Sequence, residues 1–183
     1  MVLVSRTLLP GAFLLVGVVS GQLLRNITVD DINPAIMYTG TWNAGTNNEV
    51  DSYGGGHRST SRAGAYATFH FTGISFISIN FEYILMNLGS GVAVYYMMPL
   101  FWGYTDGVST LLKLDSGPPQ LVNLTRVGSE PTTSAVRWSA SGLSNGPHIV
   151  VISLGRSAKG ELARWGQVDA FMYVLFCLVQ FSY

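Results

Sequence analysis

Apolar and polar residues alternate with a period of two in several segments of this chain. The clearest case is "GAYATFHFTG", residues 64–73, in which two sets of side chains point in opposite directions: Ala65, Ala67, Phe69 and Phe71 against Tyr66, Thr68, His70 and Thr72. The segment "VSTLLKLD", residues 108–115, repeats the pattern. Successive side chains of a strand point to opposite faces of a sheet, so this alternation predicts half-buried antiparallel strands.

Further segments extend this series of strands. The segment "GVAVYYMM", residues 91–98, is apolar on both faces and predicts a central strand. In "AVRWSA", the alternation places Val136, Trp138 and Ala140 on the inner face. Buried strands are also predicted for "HIVVISLG" and "GQVDAFMYV", residues 148–155 and 166–174. No convincing amphipathic helix lies between these segments, so we expect an all-β fold, a two-sheet antiparallel β-sandwich of the jelly-roll type.

Composition narrows the class of protein. The 183 residues, 48% of them hydrophobic, suffice for one domain with a core, and the 21 Gly and seven Pro are typical of many turns. Only 11% of residues are charged and the net charge is zero, which disfavours nucleic acid or an acidic membrane surface as a partner. The single Cys177 excludes an internal disulfide.

The N-terminus is typical of an exported protein. Arg6 precedes a short apolar run, Leu8–Val19, and small residues follow it, which predicts a signal peptide over residues 1–21. The mature domain would span residues 22–174 and be extracellular, either secreted or at the cell surface. Asn26 and Asn123 stand in N-x-Ser/Thr triplets and are predicted glycosylation sites.

The order of several motifs resembles a known family. "DDINPAIMYTGTW", "YGGGHRSTSRAGAYATFHFTG", "GVAVYY", "LKLDSG", "SASGLSNGPHIVVIS" and "ARWGQVDAFMY" follow one another between residues 27 and 173. This succession resembles the galactose-binding-like jelly-roll domain of fungal secreted and single-pass membrane proteins. The resemblance implies an eight- or nine-stranded β-sandwich related to carbohydrate-binding modules, in a family whose members mostly lack an assigned activity.

Two segments depart from that family. Residues 74–90 separate "FTG" from "GVAVYY" with an apolar insert, which is either a retained intron or a genuine extra pair of strands. The chain then closes on an apolar tail, residues 175–183, which is too short to span a bilayer as a helix. The protein is therefore either secreted or a truncated form of an anchored one, and no transmembrane span is expected in this chain.

Acidic residues raise the question of catalysis or metal binding. Asp30 and Asp31 are neighbours in a predicted strand and point to opposite faces, so they cannot form a hydrolytic pair by themselves. One of them could join Asp169 or Glu161 to bind a structural calcium ion, which takes hard oxygen ligands. The alternative is that these acids are solvated or cap turns. The three histidines, at positions 57, 70 and 148, lack zinc-site spacing, so no other cofactor is expected.

A ligand site is predicted where two long loops meet, Asn43–Arg62 and Pro99–Gly107. Aromatic side chains can stack on sugar rings while polar groups orient them. The stacking candidates are Trp42, Tyr53, Trp102 and Tyr104, and the hydrogen-bonding candidates are Asn47, Asp51, His57 and Arg58. Trp138 and Trp165 are assigned to the core, and Trp42 fits either role.

These features favour a non-catalytic extracellular module that binds carbohydrate at the fungal cell surface or wall. Two alternatives stay open. One is a glycoside hydrolase-like enzyme with dispersed carboxylates, and the other is a structural ectodomain that binds another protein.

Overall fold

The computed structural model describes residues 19–45, 50–76, 92–101, 108–129, 132–155 and 165–181, with backbone alone for 19–24, 74–76 and 176–181. These residues form thirteen strands and one short 3-10 helix, Tyr53–Gly55. The strands are β1 (Val19–Asp30), β2 (Ile36–Thr39), β3 (Asn43–Ala44), β4 (Arg58–Thr60), β5 (Tyr66–Thr72), β6 (Ile74–Phe76), β7 (Val92–Met98), β8 (Ser109–Leu114), β9 (Gln120–Asn123), β10 (Ala135–Leu143), β11 (Pro147–Leu154), β12 (Gly166–Val168) and β13 (Ala170–Phe181). The all-β prediction is confirmed.

Two five-stranded sheets and one small sheet make up the fold. The first sheet has the order β1-β13-β7-β10, with β6 beside β13, and the second has the order β2-β5-β11-β8-β9. A third sheet, β12-β4-β3, was not expected from the sequence. All pairings are antiparallel except that of β6 with β13.

The core lies between the two large sheets. Phe69 of β5 stacks on Phe171 of β13 with ring centroids 4.6 Å apart, and both side chains are fully buried. The four apolar residues of "GAYATFHFTG" are buried and the opposing Tyr66 and His70 are exposed, as the alternation predicts. Burial of apolar area on facing sheets is the main source of stability in such a sandwich.

The expectation for β10 is wrong at one residue. Trp138 is buried, but Val136 is 46% exposed instead of facing inward. The register with β7 shifts between these two residues, which marks a β-bulge or irregularity. An extra residue in one strand changes the face to which the residues before it point, so the simple alternation fails there.

The described residues of the predicted polar loop, 43–45 and 50–62, contain regular secondary structure. They contain β3, the 3-10 helix and β4, and β4 pairs with β12 near the far end of the chain. Gly54 has φ of 67°, and a Cβ at this position would collide with the Asp30 carboxylate. Glycine therefore allows both the turn and its close approach to β1.

Strands β1 and β13 pair along their whole lengths, from Val19 with Phe181 to Asp30 with Ala170. The predicted cleavage site near Gly21 lies in β1, and residues 175–181 of the apolar tail continue β13. Within the insert, residues 74–76 form β6, while residues 77–90 lie outside the described residues. In the part of the chain that the structure describes, no helix has the length and apolar character to cross a membrane.

Candidate functional site

A pocket of about 480 Å³ opens beside the small third sheet. Its walls come from three parts of the chain that are distant in sequence: residues 50–59, 99–101 and 165–167. The apolar lining residues are Val50, Pro99, Leu100, Phe101 and Trp165, and the polar ones are Asp51, Ser52, His57, Ser59 and Gln167. This volume and this mixture of aromatic and polar groups are typical of small-molecule sites.

The pairing of β4 with β12 brings two of these walls together. Ser59 of β4 lies opposite Gln167 of β12, and both line the pocket. Because side chains alternate along a strand, His57 and Ser59 face the pocket while Arg58 points away from it.

The backbone of Gln167 is fixed by two fully buried core residues. Its N–H donates to Thr110 Oγ1 at 3.2 Å, and its carbonyl accepts from the Tyr96 hydroxyl at 2.7 Å. The Gln167 residue is only 5% exposed, and its Oε1 has no hydrogen-bond partner among the described residues. Leaving a buried acceptor unpaired costs about 1–3 kcal/mol.

His57 is held by contacts on both sides of its ring. Its Nδ1 lies 3.1 Å from Ser52 Oγ, and its ring meets that of Phe101 edge-on with centroids 5.5 Å apart. The Gly45 N–H donates to the His57 carbonyl at 2.6 Å. The neighbouring Asp51 carbonyl accepts from the Ser134 N–H at 2.6 Å, which anchors this edge of the pocket to the segment before β10.

An acidic network lies next to the pocket. Asp169, two residues after Gln167, is fully buried, and its Oδ2 accepts from the Tyr53 N–H at 3.1 Å and from the Ser134 hydroxyl at 2.5 Å. Its Oδ1 is buried and has no partner among the described residues. Burial raises the pKa of Asp169 to about 7, against the lowering effect of these two hydrogen bonds.

Asp31 belongs to the same network. Its Oδ2 lies 3.6 Å from Arg58 Nε, and the Asp31 N–H donates to Asp30 Oδ1 at 3.0 Å. Burial, and then the neighbouring Asp30, raise the pKa of Asp31 to about 6 despite the Arg58 charge. The Arg58 guanidinium stacks 4.7 Å from the centre of the Tyr38 ring, whose hydroxyl donates to the Asp31 carbonyl at 2.8 Å.

The predicted calcium site at Asp30, Asp31 and Asp169 stays a prediction. The unpartnered Asp169 Oδ1 would suit a cation, but no three His, Cys, Asp or Glu side chains of the described ranges are placed to hold one metal ion. Calcium takes about six to eight oxygen ligands. The described carboxylate oxygens contact Arg58, Ser134 and backbone N–H groups. Glu161 lies outside the described residues.

The pocket brings together part of the site predicted from the sequence. Asp51 and His57 line it. Trp42, Tyr53 and Arg58 do not: Trp42 packs edge-on against Tyr38 with centroids 5.2 Å apart, and Tyr53 is 41% exposed beside Asp169. The candidates Asn47, Trp102 and Tyr104 lie outside the described residues.

Sequence reasoning missed Ser52, Ser59, Phe101, Trp165 and Gln167 as lining residues. Trp165, assigned to the core, packs partly against it and also forms a wall of the pocket. Its position at the entry to a strand, next to Gly166, is a signal that could have suggested a rim position. Gln167 offered no such signal, since its role depends on the pairing of β12 with β4.

Other residues singled out in the sequence lie away from the pocket. Asn26 on β1 and Asn123 at the end of β9 are exposed, which meets the surface requirement for glycosylation. His70 is exposed on β5, whereas His148 is buried beside Asp115. None of these residues lines the pocket.

Solved structures of similar fold come from larger proteins. The exo-β-1,3-galactanase of Phanerochaete chrysosporium with galactose matches 81% of this chain at 15% identity, with a TM-score of 0.50. The GH26-CBM35 β-(1,4)-mannanase of Podospora anserina matches 81% at 12% identity with a TM-score of 0.47, and a Paenibacillus xanthan lyase 82% at 15% with 0.49. This chain spans 29%, 27% and 13% of those chains respectively, and the likeness concerns the fold alone.

The sequence itself matches no protein-family model, and no curated protein matches it.

Proposed function

We propose that this protein is an extracellular, non-catalytic module that binds carbohydrate in the pocket between residues 50–59, 99–101 and 165–167. Under this proposal Trp165 and Phe101 supply apolar ring faces for the C–H face of a sugar. Asp51, Ser59 and Gln167 supply polar groups that orient its hydroxyls.

The observation that carries the proposal is a cavity lined by the rings of Phe101 and Trp165 together with the polar side chain of Gln167. Its backbone is fixed by Tyr96 and Thr110, so the side chain is presented from a rigid strand. A preorganised polar group loses little conformational entropy when a ligand binds. The galactanase of similar fold was solved with galactose, which agrees with a sugar ligand but does not assign one to this chain.

The lining favours binding over hydrolysis. Canonical glycoside hydrolysis uses two carboxyl groups about 5–10 Å apart across the scissile bond. Among the described lining residues Asp51 is the only acid. Asp169 is fully buried and engaged by Tyr53 and Ser134.

Export and family remain part of the same proposal. The signal-like N-terminus and the exposed Asn26 and Asn123 support an extracellular location at the cell surface or wall. The motif order supports a galactose-binding-like jelly roll of fungal type, and the β-sandwich architecture agrees with it.

A glycan array on the mature domain, combined with a reducing-sugar assay, tests the proposal. We expect at least one glycan to bind reversibly without release of reducing sugar. Trp165→Ala is expected to weaken that binding about tenfold or more, because the sugar loses a stacking surface.

Trp42→Ala is the matched control, since Trp42 packs on Tyr38 away from the pocket. It is expected to keep wild-type affinity. Release of reducing sugar would favour the enzyme alternative, and absence of any glycan binding would favour the protein-binding one. Loss of affinity in Trp42→Ala with none in Trp165→Ala would place the site elsewhere.

A further inference from the structure

Residues 132–134, which we call the bridging segment, lie just before β10 and are bonded to two walls of the pocket. The Leu100 N–H donates to the Thr132 carbonyl at 3.1 Å, and the Ser134 N–H donates to the Asp51 carbonyl at 2.6 Å. Leu100 and Asp51 belong to different walls of the pocket. The bridging segment therefore joins two walls that are distant in sequence.

The Ser134 hydroxyl links the bridging segment to the third wall. It donates to Asp169 Oδ2 at 2.5 Å, and the same oxygen accepts from the Tyr53 N–H at 3.1 Å. Asp169 is fully buried and lies two residues after Gln167, which lines the pocket. Because buried hydrogen-bond networks restrict the motion of the groups they join, this bond ties the bridging segment to the strand end that carries Gln167.

The bridging segment is itself fastened to the first sheet. Arg137 of β10 donates from Nε to the Met98 carbonyl at 2.9 Å and from Nη2 to the Thr133 carbonyl at 3.1 Å. Met98 is the last residue of β7 and is fully buried. The segment is thus held on the core, and none of its residues is among the described lining residues.

We propose that Ser134 is a positioning residue for the pocket: its N–H and its hydroxyl hold the walls that contain Asp51 and Gln167 at the spacing that a ligand needs. This inference rests on the proposed function and adds what controls the geometry of that site. A binding site works well only when supporting contacts keep its groups within about 0.5 Å of the productive geometry.

Ser134→Ala tests the hydroxyl. The substitution leaves the backbone bond to Asp51 in place, and Asp169 keeps its bond from the Tyr53 N–H, so we expect the variant to fold with a lower melting temperature. Its affinity for a glycan selected on the array is expected to fall about fivefold or more, which is a typical size of coupling between a binding site and a separate contact.

Ser134→Thr is the conservative variant. It restores a hydroxyl that can again donate to Asp169 Oδ2. We expect it to recover most of the affinity that Ser134→Ala loses.

Two variants away from the pocket serve as controls. Ser139→Ala makes the same substitution at an exposed residue of β10, and it is expected to keep both the stability and the affinity of the wild-type chain. Gln120→Leu removes the acceptor that lies 2.9 Å from Trp138 Nε1, so it is expected to lower the melting temperature and to keep wild-type affinity. This second control separates a loss of affinity from a general loss of stability.

The test is calorimetric titration of the wild-type chain and the four variants with that glycan, beside a thermal melt of each. Wild-type affinity in Ser134→Ala would overturn the positioning role and leave carbohydrate binding intact. Equal losses of affinity in Ser134→Ala and Gln120→Leu would overturn it too, since affinity would then follow stability. A Thr variant that binds as weakly as the Ala variant would overturn the role of the hydroxyl. If no glycan binds the wild-type chain, carbohydrate binding itself fails, and the inference fails with it.

Discussion

His148 shows at the scale of one residue how burial and hydrogen bonding oppose each other. Its Nδ1 lies 2.8 Å from Asp115 Oδ2, and its Nε2 lies 2.8 Å from the Ser144 carbonyl. Both ring nitrogens face acceptors, so both must carry a proton to form these bonds, which describes the charged imidazolium. Burial lowers the pKa of His148, but the bonds to Ser144 and Asp115 outweigh it and raise the pKa above its ordinary value.

This pair predicts a pH dependence of stability. Because the folded-state pKa of His148 is raised, its contribution is fully present below the unfolded value of about 6.5 and is lost as pH rises through the folded value. We therefore expect the melting temperature to fall more steeply as the pH rises above about 6.5 in the wild-type chain than in His148→Gln.

The matched control is His70→Gln, since His70 is exposed on β5. Thermal melts at several pH values should show the wild-type slope in this variant. An unchanged slope in His148→Gln would contradict a charged His148 in the folded protein.

Asp169 is a second residue whose contacts predict a measurable change. Asp169→Ala would leave the Tyr53 N–H and the Ser134 hydroxyl without their acceptor in a buried place. We expect it to lower the free energy of unfolding by about 1–3 kcal/mol in urea titrations.

Asp169→Asn should cost clearly less, because its amide oxygen can accept the same bonds and the raised pKa already favours an uncharged group there. Equal losses in the Ala and Asn variants would show that these hydrogen bonds do not stabilise the fold.

At the scale of elements, β5 links the sequence pattern to the core most directly. Phe69 is fully buried and stacks on Phe71 and Phe171 at 5.4 and 4.6 Å, while Tyr66 on the opposite face is 40% exposed. We expect Phe69→Ala to lower the free energy of unfolding by about 3–5 kcal/mol. Tyr66→Ala in the same strand should change it by no more than about 0.5 kcal/mol.

Chemical denaturation of the two variants checks this expectation. Similar losses in both would mean that β5 is not buried on one face. Comparable stability of Phe69→Ala and the wild-type chain would mean that the two large sheets do not pack through this residue.

The strands that sequence patterns predicted are those long enough to display a period. β5, β7 and β11 have seven or eight residues each. Burial alternates along β5 as predicted, most of β7 is buried as expected of a strand that is apolar on both faces, and β11, predicted as buried, has exposed residues at Pro147 and Ile149. β3 and β4 have only two or three residues each, too few for a period, and β12 is the start of the segment 166–174 that the sequence predicts as a single strand, so the third sheet was not predicted. In β10 the pairing with β7 is irregular between Val136 and Trp138, and the Val136 side chain lies on the exposed face. The alternation of residue types does not reveal this irregularity.

For the whole molecule, the candidate site is a product of non-local pairing. Sequence analysis predicted two of its three parts, near residues 50–59 and 99–101, because a polar loop flanked by aromatic residues can be recognised from neighbouring residues in the sequence. It did not locate residues 165–167, which reach the pocket through the pairing of β12 with β4 and the bridge between Val108 and Trp165. Trp42 and Arg58 were assigned to the site because they lie beside or within the predicted loop. Their side chains contact Tyr38 instead of lining the pocket.

The central claim is that carbohydrate binds in the pocket walled by Trp165, and the four tryptophans provide one direct measurement of it. Each indole N–H gives its own nuclear magnetic resonance signal in a ¹⁵N-labelled sample titrated with a glycan selected on the array. We expect a saturable shift of the Trp165 signal. The signals of Trp138, a core residue whose Nε1 bonds to Gln120, and of Trp42 are expected to stay in place. A bound glycan that moves the Trp42 or Trp138 signal and leaves that of Trp165 unchanged would contradict the account.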